Sequence, residues 1–208
     1  MPTLLRIDTS ARINDSHSRA LADELQARWQ AANPGGVVQQ RDLATTPIGP
    51  IENETIVGYY TPADDMTEAL RQATAESDAL IAELQAADAL LISTPMYNFT
   101  VPAVLKAWID QVVRIHKTFG FNEAGEALGL VKDKPAYITT AIGAQFSGTP
   151  LASMDFLRPY LQALLGFIGF EDVSCFSVES TAVDEKQFAK SKENAVTEIE
   201  RLFAKVAA

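Results

Sequence analysis

The sequence has little of what would crosslink a fold, bind a metal or cross a membrane. Only one of its 208 residues is cysteine, Cys175, so an intrachain disulfide is excluded and we expect a reducing compartment, the cytoplasm. The two histidines and one cysteine show no zinc-binding spacing. No run approaches the ~20 apolar residues of a membrane-spanning helix. We therefore expect no membrane association, and we see no secretory signal-peptide pattern at the amino terminus.

The charge of the chain is acidic, with a formal net charge of −10 at pH 7. A phosphate backbone would be repelled by this average field, and we therefore expect no nucleic-acid partner. Hydrophobic residues make up 47% and charged residues 21% of the chain, as in folded globular proteins. A chain of this length can bury a full core, and the sequence shows no linker or repeat. We expect one domain spanning residues 1–208.

Five short apolar runs have the length and composition of buried strands. They are Thr3–Ile7, Val37–Leu43, Ala89–Ser93, Ala136–Ala141 and Val173–Val178. Five longer stretches have helical character. They are Ser18–Ala32, Thr67–Ala86, Pro102–Ile115, Met154–Ile168 and Asp184–Val206, with Pro159 moving the start of the fourth helix toward Arg158. Two further stretches, Ala44–Met66 and His116–Lys134, are predicted to be long irregular loops, a type of loop that tends to be functional.

The regular alternation of strands and helices predicts an α/β fold with a doubly wound parallel sheet. Because only five strands are visible, we favour a flavodoxin-like three-layer sandwich over a six-stranded dinucleotide-binding fold. The predicted five-stranded parallel sheet has the order 2-1-3-4-5 with helices on both faces. Ligands of such sheets bind beyond the carboxyl ends of the strands, where the winding reverses, between strands one and three.

The loop after the first strand places hydroxyl groups at the start of a helix. Ser10, Ser16 and Ser18 flank His17 there, and a helix amino terminus adds unpaired N–H groups and a partial positive charge. The loop has neither the GxxxxGK[ST] nor the GxGxxG pattern, so a monophosphate is the favoured ligand. An equally good interpretation from composition is that Ser16 or Ser18 is simply a helix N-cap.

The loop after the third strand places a thioether, two aromatic rings and an amide where a flat ring can lie. Its residues are Pro95, Met96, Tyr97, Asn98 and Phe99. Alternatively, the apolar members only cover the core. Next to a phosphate loop, this platform predicts bound flavin mononucleotide (FMN), and so electron transfer.

The loop after the fourth strand contains a glycine that permits close approach of the backbone to a ligand. This residue is Gly143, and Ala144 follows it. A plain turn explains the glycine equally well.

Several motifs resemble those of the FMN-dependent NADH-azoreductase family, which is related to the flavodoxin-like quinone reductases. The resemblance runs along essentially the whole chain. It is carried by Asp8-Thr9-Ser10, Ser16-His17-Ser18, Pro95-Met96-Tyr97-Asn98-Phe99, Leu105–Asp110, Lys117-Thr118-Phe119, Pro159-Tyr160-Leu161 and Leu165–Gly169.

The resemblance implies a homodimer with FMN held noncovalently near the interface. It also implies a ping-pong cycle in which NADH or NADPH reduces FMN, which then passes two electrons to a quinone or azo compound. By this analogy Ser10, Ser16 and Ser18 hold the phosphate with His17 beside them. The ring would lie on the residues from Pro95 to Phe99 and near Gly143 and Ala144. Two further residues, Phe121 and Phe167, would shape the substrate pocket from the partner subunit.

One segment departs from the family pattern. The family usually has Ser-Arg-Gly-Gly after the fourth strand, whereas this chain has Ala141-Ile142-Gly143-Ala144. A hydroxyl, a guanidinium and one glycine are therefore missing. We expect FMN still to bind, because backbone groups can serve.

Three other functions remain open from the residues alone. A flavodoxin-type FMN electron carrier shares the fold, but it would need an open flavin edge and no long substrate loops. A serine hydrolase using Ser10 or Ser16 with His17 would need a third group to orient the histidine. A phospho-receiver would need an aspartate at the end of strand three, where Ser93-Thr94-Pro95 stands.

Overall fold

The computed structural model describes residues 1–206. Its strands are β1 (Thr3–Asp8), β2 (Val37–Asp42), β3 (Ala89–Pro95), β4 (Phe119–Phe121), β5 (Ala127–Gly129), β6 (Ala136–Ala141) and β7 (Val173–Val178). Its α-helices are α1 (His17–Ala32), α2 (Asn53–Tyr60), α3 (Glu68–Ala86), α4 (Ala103–Val112), α5 (Arg158–Ile168) and α6 (Glu185–Val206). Two 3₁₀ turns cover Ala63–Asp65 and Pro150–Met154.

The main sheet has five parallel strands in the order β2-β1-β3-β6-β7. All five predicted strands are in it. In chain numbering the order reads 2-1-3-6-7 and not 2-1-3-4-5, because the predicted loop His116–Lys134 contains the antiparallel hairpin β4–β5. Each hairpin strand is three residues long, too short to show a strand period in the sequence. The predicted loop Ala44–Met66 likewise contains α2.

The core lies on both sides of β3, all of whose residues are buried. On one face Leu90 and Ile92 pack in a cluster with apolar residues of α3, α4 and α5, including Trp108. On the other face Leu91 packs in a cluster with α1 and α6. Fully burying one such side chain contributes roughly 1.5–3 kcal/mol. These two clusters confirm the predicted helices on both faces.

The start of α5 is not at Met154 but at the later position that Pro159 predicts. The helix begins at Arg158, with Pro159 in its first turn, and Met154 ends the preceding 3₁₀ turn. A proline is tolerated in the first turn because the N–H that it lacks would have no partner there. The carboxylate of Asp155 accepts hydrogen bonds from the N–H groups of Leu157 and Arg158, both at 3.1 Å.

The β4–β5 hairpin is docked on the end of α5 by two glycines. A Cβ added to Gly129 would lie 2.3 Å from the nitrogen of Gly169, so only glycine permits this approach. Gly169 has φ +116° and ends α5, and the N–H of Val131 donates to the carbonyl of Ile168 at 2.8 Å. None of the described helices is long and apolar enough to span a bilayer.

Candidate functional site

Three loops at the carboxyl edge of the sheet lie side by side, as the strand order requires. The N–H of Thr9, after β1, donates to the carbonyl of Ser93 at 3.0 Å. The N–H of Met96, after β3, donates to Ala141 at 2.9 Å. The structure therefore brings together the three loops that the sequence selects.

The serine cluster lies at the start of α1 and is buried. Ser10, Ser16 and Ser18 are 2%, 8% and 0% exposed, and the hydroxyls of Ser16 and Ser18 are 3.3 Å apart. Ser16 is the N-cap of α1, but its Oγ accepts from the N–H of Arg19 only at 3.5 Å. The capping interpretation is thus correct for Ser16. The cap pairs only one N–H group, so other donors at this end of the helix stay available.

The donors left at this helix end fit a phosphate. Within residues 1–206 the N–H groups of His17 and Ser18 have no hydrogen-bond acceptor, since the first turn of a helix has none of its own. The hydroxyl of Ser93, whose carbonyl accepts from the N–H of Thr9, is buried and has no hydrogen-bond partner among the described residues. Unpaired N–H and hydroxyl groups at a helix amino terminus are the donors that a monophosphate accepts.

The Ser10 loop is fixed from behind by an ion-pair network that the sequence analysis missed. Arg19 donates to the carbonyl of Ser10 at 2.9 Å and to both carboxylate oxygens of Asp42 at 2.7 and 2.9 Å. The hydrogen bond between these two side chains raises the pKa of Arg19 and lowers the pKa of Asp42. The sequence signal for the network is the pair of charged residues in β1, Arg6 within the apolar run and Asp8 at its end. They pair at 2.9 Å, and Asp8 lies 3.8 Å from Arg19.

The side chain of His17 is turned toward α6. Its ring lies on Phe188, with 4.5 Å between the ring centroids. Burial, followed by the charges of Arg12 and Lys192, lowers the pKa of His17. No serine hydroxyl among the described residues bonds to this ring, so the nucleophile–base contact of a serine hydrolase is not formed.

The residues after β3 form a tight turn with strained backbone. Tyr97 and Thr100 exchange two backbone hydrogen bonds of 3.0 and 3.1 Å, and the residues between them have positive φ, 47° at Asn98 and 73° at Phe99. This is the arrangement of a type I′ turn, in which a bulky residue such as Phe99 is rare. Strain of this kind is common at binding sites.

The side chains of this turn divide into two groups. Pro95 is buried and Met96 packs against the core, so for these two the core-covering interpretation is correct. Tyr97 and Phe99 are 38% and 41% exposed, and Asn98 is exposed, which leaves them free to contact a ligand.

A groove of about 880 Å³ runs beside the turn. Its lining is mostly apolar and aromatic. The lining residues are Tyr97, Asn98, Thr100, Val101, Ala103, Lys106, Asp155, Phe156, Pro159 and Tyr160. A groove of this size and character suits a flat organic molecule.

The loop after β6 offers no polar side chain at Gly143 or Ala144. Their carbonyls accept from Ala182 and Ser180 at 3.0 and 3.1 Å. A Cβ on Gly143 would make only an ordinary contact, 3.7 Å from Ala182, so internal packing does not require this glycine.

The aromatic residues Phe121 and Phe167 do not join these loops within the chain. Both contact Phe119, with centroid distances of 6.1 and 4.8 Å, and they are 57% and 40% exposed. Phe167 is near the far end of α5, whose 11 residues extend ~16 Å from Arg158. The two rings therefore form a separate exposed aromatic patch.

The chain is similar in sequence to a known family and to several named proteins. Residues 2–203 match the family described as flavodoxin-like fold. An FMN-dependent NADH:quinone oxidoreductase of Xanthobacter autotrophicus is 55% identical over 175 residues, covering 83% of this chain and 84% of that protein. The FMN-dependent NADH:quinone oxidoreductase 1 of Hahella chejuensis is 45% identical over 200 residues, covering 94% and 95%.

Solved structures show the same fold. An azoreductase from Bacillus anthracis str. Sterne superposes with a TM-score of 0.89 at 24% identity, covering 99% of this chain and 100% of that one. An FMN-dependent NADH-azoreductase from Bacillus anthracis str. Ames Ancestor, solved in complex with FMN, gives 0.86 at 20% identity, with both chains covered in full. The chain belongs to the flavodoxin-like fold family, in the group of the FMN-dependent NADH:quinone oxidoreductases.

Proposed function

We propose that this chain is an FMN-dependent NAD(P)H:quinone oxidoreductase that also reduces azo compounds. The observation that carries the proposal is the placement of a hydroxyl and N–H cluster at the start of α1 beside the strained turn Tyr97–Thr100. The names of the relatives in sequence support the same activity. When bound, FMN supplies the two-electron transfer that amino-acid side chains cannot provide.

The residues divide the binding of the cofactor between two subsites. Ser10, Ser16 and Ser18, with the N–H groups at the start of α1, hold the phosphate, and His17 contributes its backbone. The segment Pro95–Phe99 holds the ring, with Gly143 and Ala144 along its edge. The groove beside Tyr97 admits the nicotinamide and the acceptor in turn. Its mostly apolar lining favours quinones.

We infer that the enzyme is a single-domain homodimer. The aromatic patch of Phe121 and Phe167, packed on the half-buried Phe119, is exposed and lies away from the chain's own flavin loops. A partner subunit would bury it and bring Phe121 and Phe167 to the second site. The single cysteine is compatible with a reducing cytoplasm.

Turnover with NADH and a benzoquinone tests the function. The FMN-loaded protein should oxidise one equivalent of NADH per bound flavin without an acceptor and turn over repeatedly only when the quinone is present, with parallel lines in double-reciprocal plots. Removal of FMN should abolish turnover and re-addition should restore it. A flavodoxin-type carrier would instead bind FMN without turning over NADH and quinone.

The double variant Ser16→Ala, Ser18→Ala tests the phosphate subsite. Removal of two hydroxyls that face a dianion should weaken FMN binding by roughly tenfold or more, since a hydrogen bond to a charged group contributes about 1.5–3 kcal/mol. Riboflavin, which lacks the phosphate, should lose much less affinity. Fluorescence titration of flavin-free protein measures both, and equal losses for the two ligands would mean that the loop does not bind phosphate.

A further inference from the structure

The loop that follows β6 is held by the segment that follows β7. Residues Ala141–Ala144 offer no hydrogen-bonding side chain. The N–H groups of Ser180, Thr181 and Ala182 donate instead to the carbonyls of Ile142–Ala144, at 3.0 to 3.2 Å. The two segments are therefore joined backbone to backbone, and whatever fixes the second also fixes the first.

A buried carboxylate also joins the two segments. Here the loop after β6 supplies the donors and the segment after β7 supplies the acceptor. Glu179 is 5% exposed, and its Oε2 accepts from the N–H groups of Phe146 and Ser147 at 2.7 and 2.9 Å. Its Oε1 accepts from the hydroxyl of Ser147 at 2.6 Å and lies 3.4 Å from Nη1 of Arg158. Hydrogen bonds to a charged acceptor are about twice as strong as neutral ones. Glu179 thus accepts three charge-assisted hydrogen bonds from the loop.

These contacts extend to the turn that carries the proposed ring platform. Phe146, whose N–H donates to Glu179, is 4% exposed and lies against Phe99, with 6.3 Å between the ring centroids. Phe99 is the residue with the strained φ of 73°. A backbone conformation that is unfavourable alone persists only where its surroundings impose it. The Phe146 ring is one of those surroundings.

We propose that Glu179 is a positioning residue for the flavin ring. Its carboxylate fixes the loop after β6, which places Phe146 against Phe99 and keeps the turn Tyr97–Thr100 in its binding conformation. This inference rests on the proposed function. It explains how the loop after β6 is fixed, although the apolar side chains of Ala141–Ala144 form no hydrogen bonds.

Three variants test the proposal through flavin binding and through the visible spectrum of the bound flavin. Glu179→Ala removes all three hydrogen bonds. We expect FMN and riboflavin to lose affinity alike, because the variant disturbs the ring subsite and not the phosphate subsite. The expected loss is roughly tenfold, which corresponds to about 1.4 kcal/mol. Glu179→Gln keeps one carbonyl for the two N–H groups and should lose about threefold. Ser147→Ala removes one donor only and should lose least. The flavin spectrum should change in the same order.

The matched control is Lys134→Met at the opposite edge of the sheet. Lys134 donates to the carbonyls of Leu84, Gln85 and Ala87 at the end of α3, so its loss destabilises the fold without touching the flavin loops. It should lower the melting temperature and leave flavin affinity and spectrum unchanged.

The outcomes separate the inference from the proposed function. If the wild-type protein binds no FMN, the proposed function is wrong. If the wild type binds FMN and the Glu179 variants bind it equally well with the same spectrum, only the inference is overturned. It is also overturned if Lys134→Met loses as much flavin affinity as Glu179→Ala. If Glu179→Ala does not fold, the graded losses of Glu179→Gln and Ser147→Ala decide.

Discussion

Gly129→Ala should undock the β4–β5 hairpin from α5 and lower the stability of the whole protein. The new Cβ would meet backbone atoms of Gly169 at 2.3 and 2.4 Å, and backbone cannot turn aside as a side chain can. Overpacking of this kind costs typically 1–3 kcal/mol or more. For a chain of this length the melting temperature should fall by about 2–4 °C for each kcal/mol.

The same substitution should disturb the proposed dimer. The hairpin carries Phe121, and its displacement would move that ring away from Phe119 and Phe167. Calorimetry and sedimentation of Gly129→Ala measure the two effects. Gly166→Ala is the control, because among the described residues its new Cβ would meet no atom within 4 Å other than its chain neighbours and the backbone of its own helix, and alanine favours the helix. An unchanged melting temperature and unchanged association in Gly129→Ala would contradict the packing described here.

Asn98→Pro should abolish tight flavin binding while leaving the fold intact. Asn98 has φ 47°, whereas proline is fixed near −65°, so the turn Tyr97–Thr100 cannot form with proline at this position. The turn is exposed and adds little to the core. We therefore expect the affinity for FMN to fall by roughly a hundredfold, which corresponds to about 2.8 kcal/mol. The melting temperature of the flavin-free protein should fall much less than in Gly129→Ala.

The matched variant is Asn98→Gly, which adopts a positive φ without strain. It removes the same side-chain amide but retains the turn, so its loss of FMN affinity measures the amide alone. Fluorescence titration compares the two variants. If Asn98→Pro binds FMN as tightly as Asn98→Gly, the shape of the turn is not what holds the ring.

The parts of the fold that the sequence predicted are those that local pattern specifies. Apolar runs such as Ala89–Ser93 identify strands buried on both faces, and their alternation with helices limits the possible topologies. The short strands β4 and β5 were not predicted, because three residues are too few to show the alternation of a strand. The helix α2 was not predicted, because it has only eight residues and follows a proline-rich stretch. The sequence signal for its start is a capping box between Glu52 and Thr55.

Some features of the candidate site could likewise be predicted from local sequence, and others could not. The serine cluster and the turn after β3 each lie within a few residues of one strand end, so the sequence suffices to find them. The contacts of Arg19 with Asp42 and of Glu179 with Phe146 join residues 23 and 33 positions apart. They depend on how the strands are paired, which no local pattern encodes. The positive φ of Phe99 is likewise imposed by tertiary contacts and opposes the preference of the residue.

The most direct test of the central claim is the visible spectrum of the FMN-loaded protein during anaerobic addition of NADH, followed by a benzoquinone. We expect one equivalent of NADH per bound flavin to bleach the oxidised flavin band completely, and the quinone to restore it rapidly. That result would establish two-electron transfer from nicotinamide to quinone through FMN. Bound flavin that NADH does not bleach, or a chain that binds no flavin, would contradict the account.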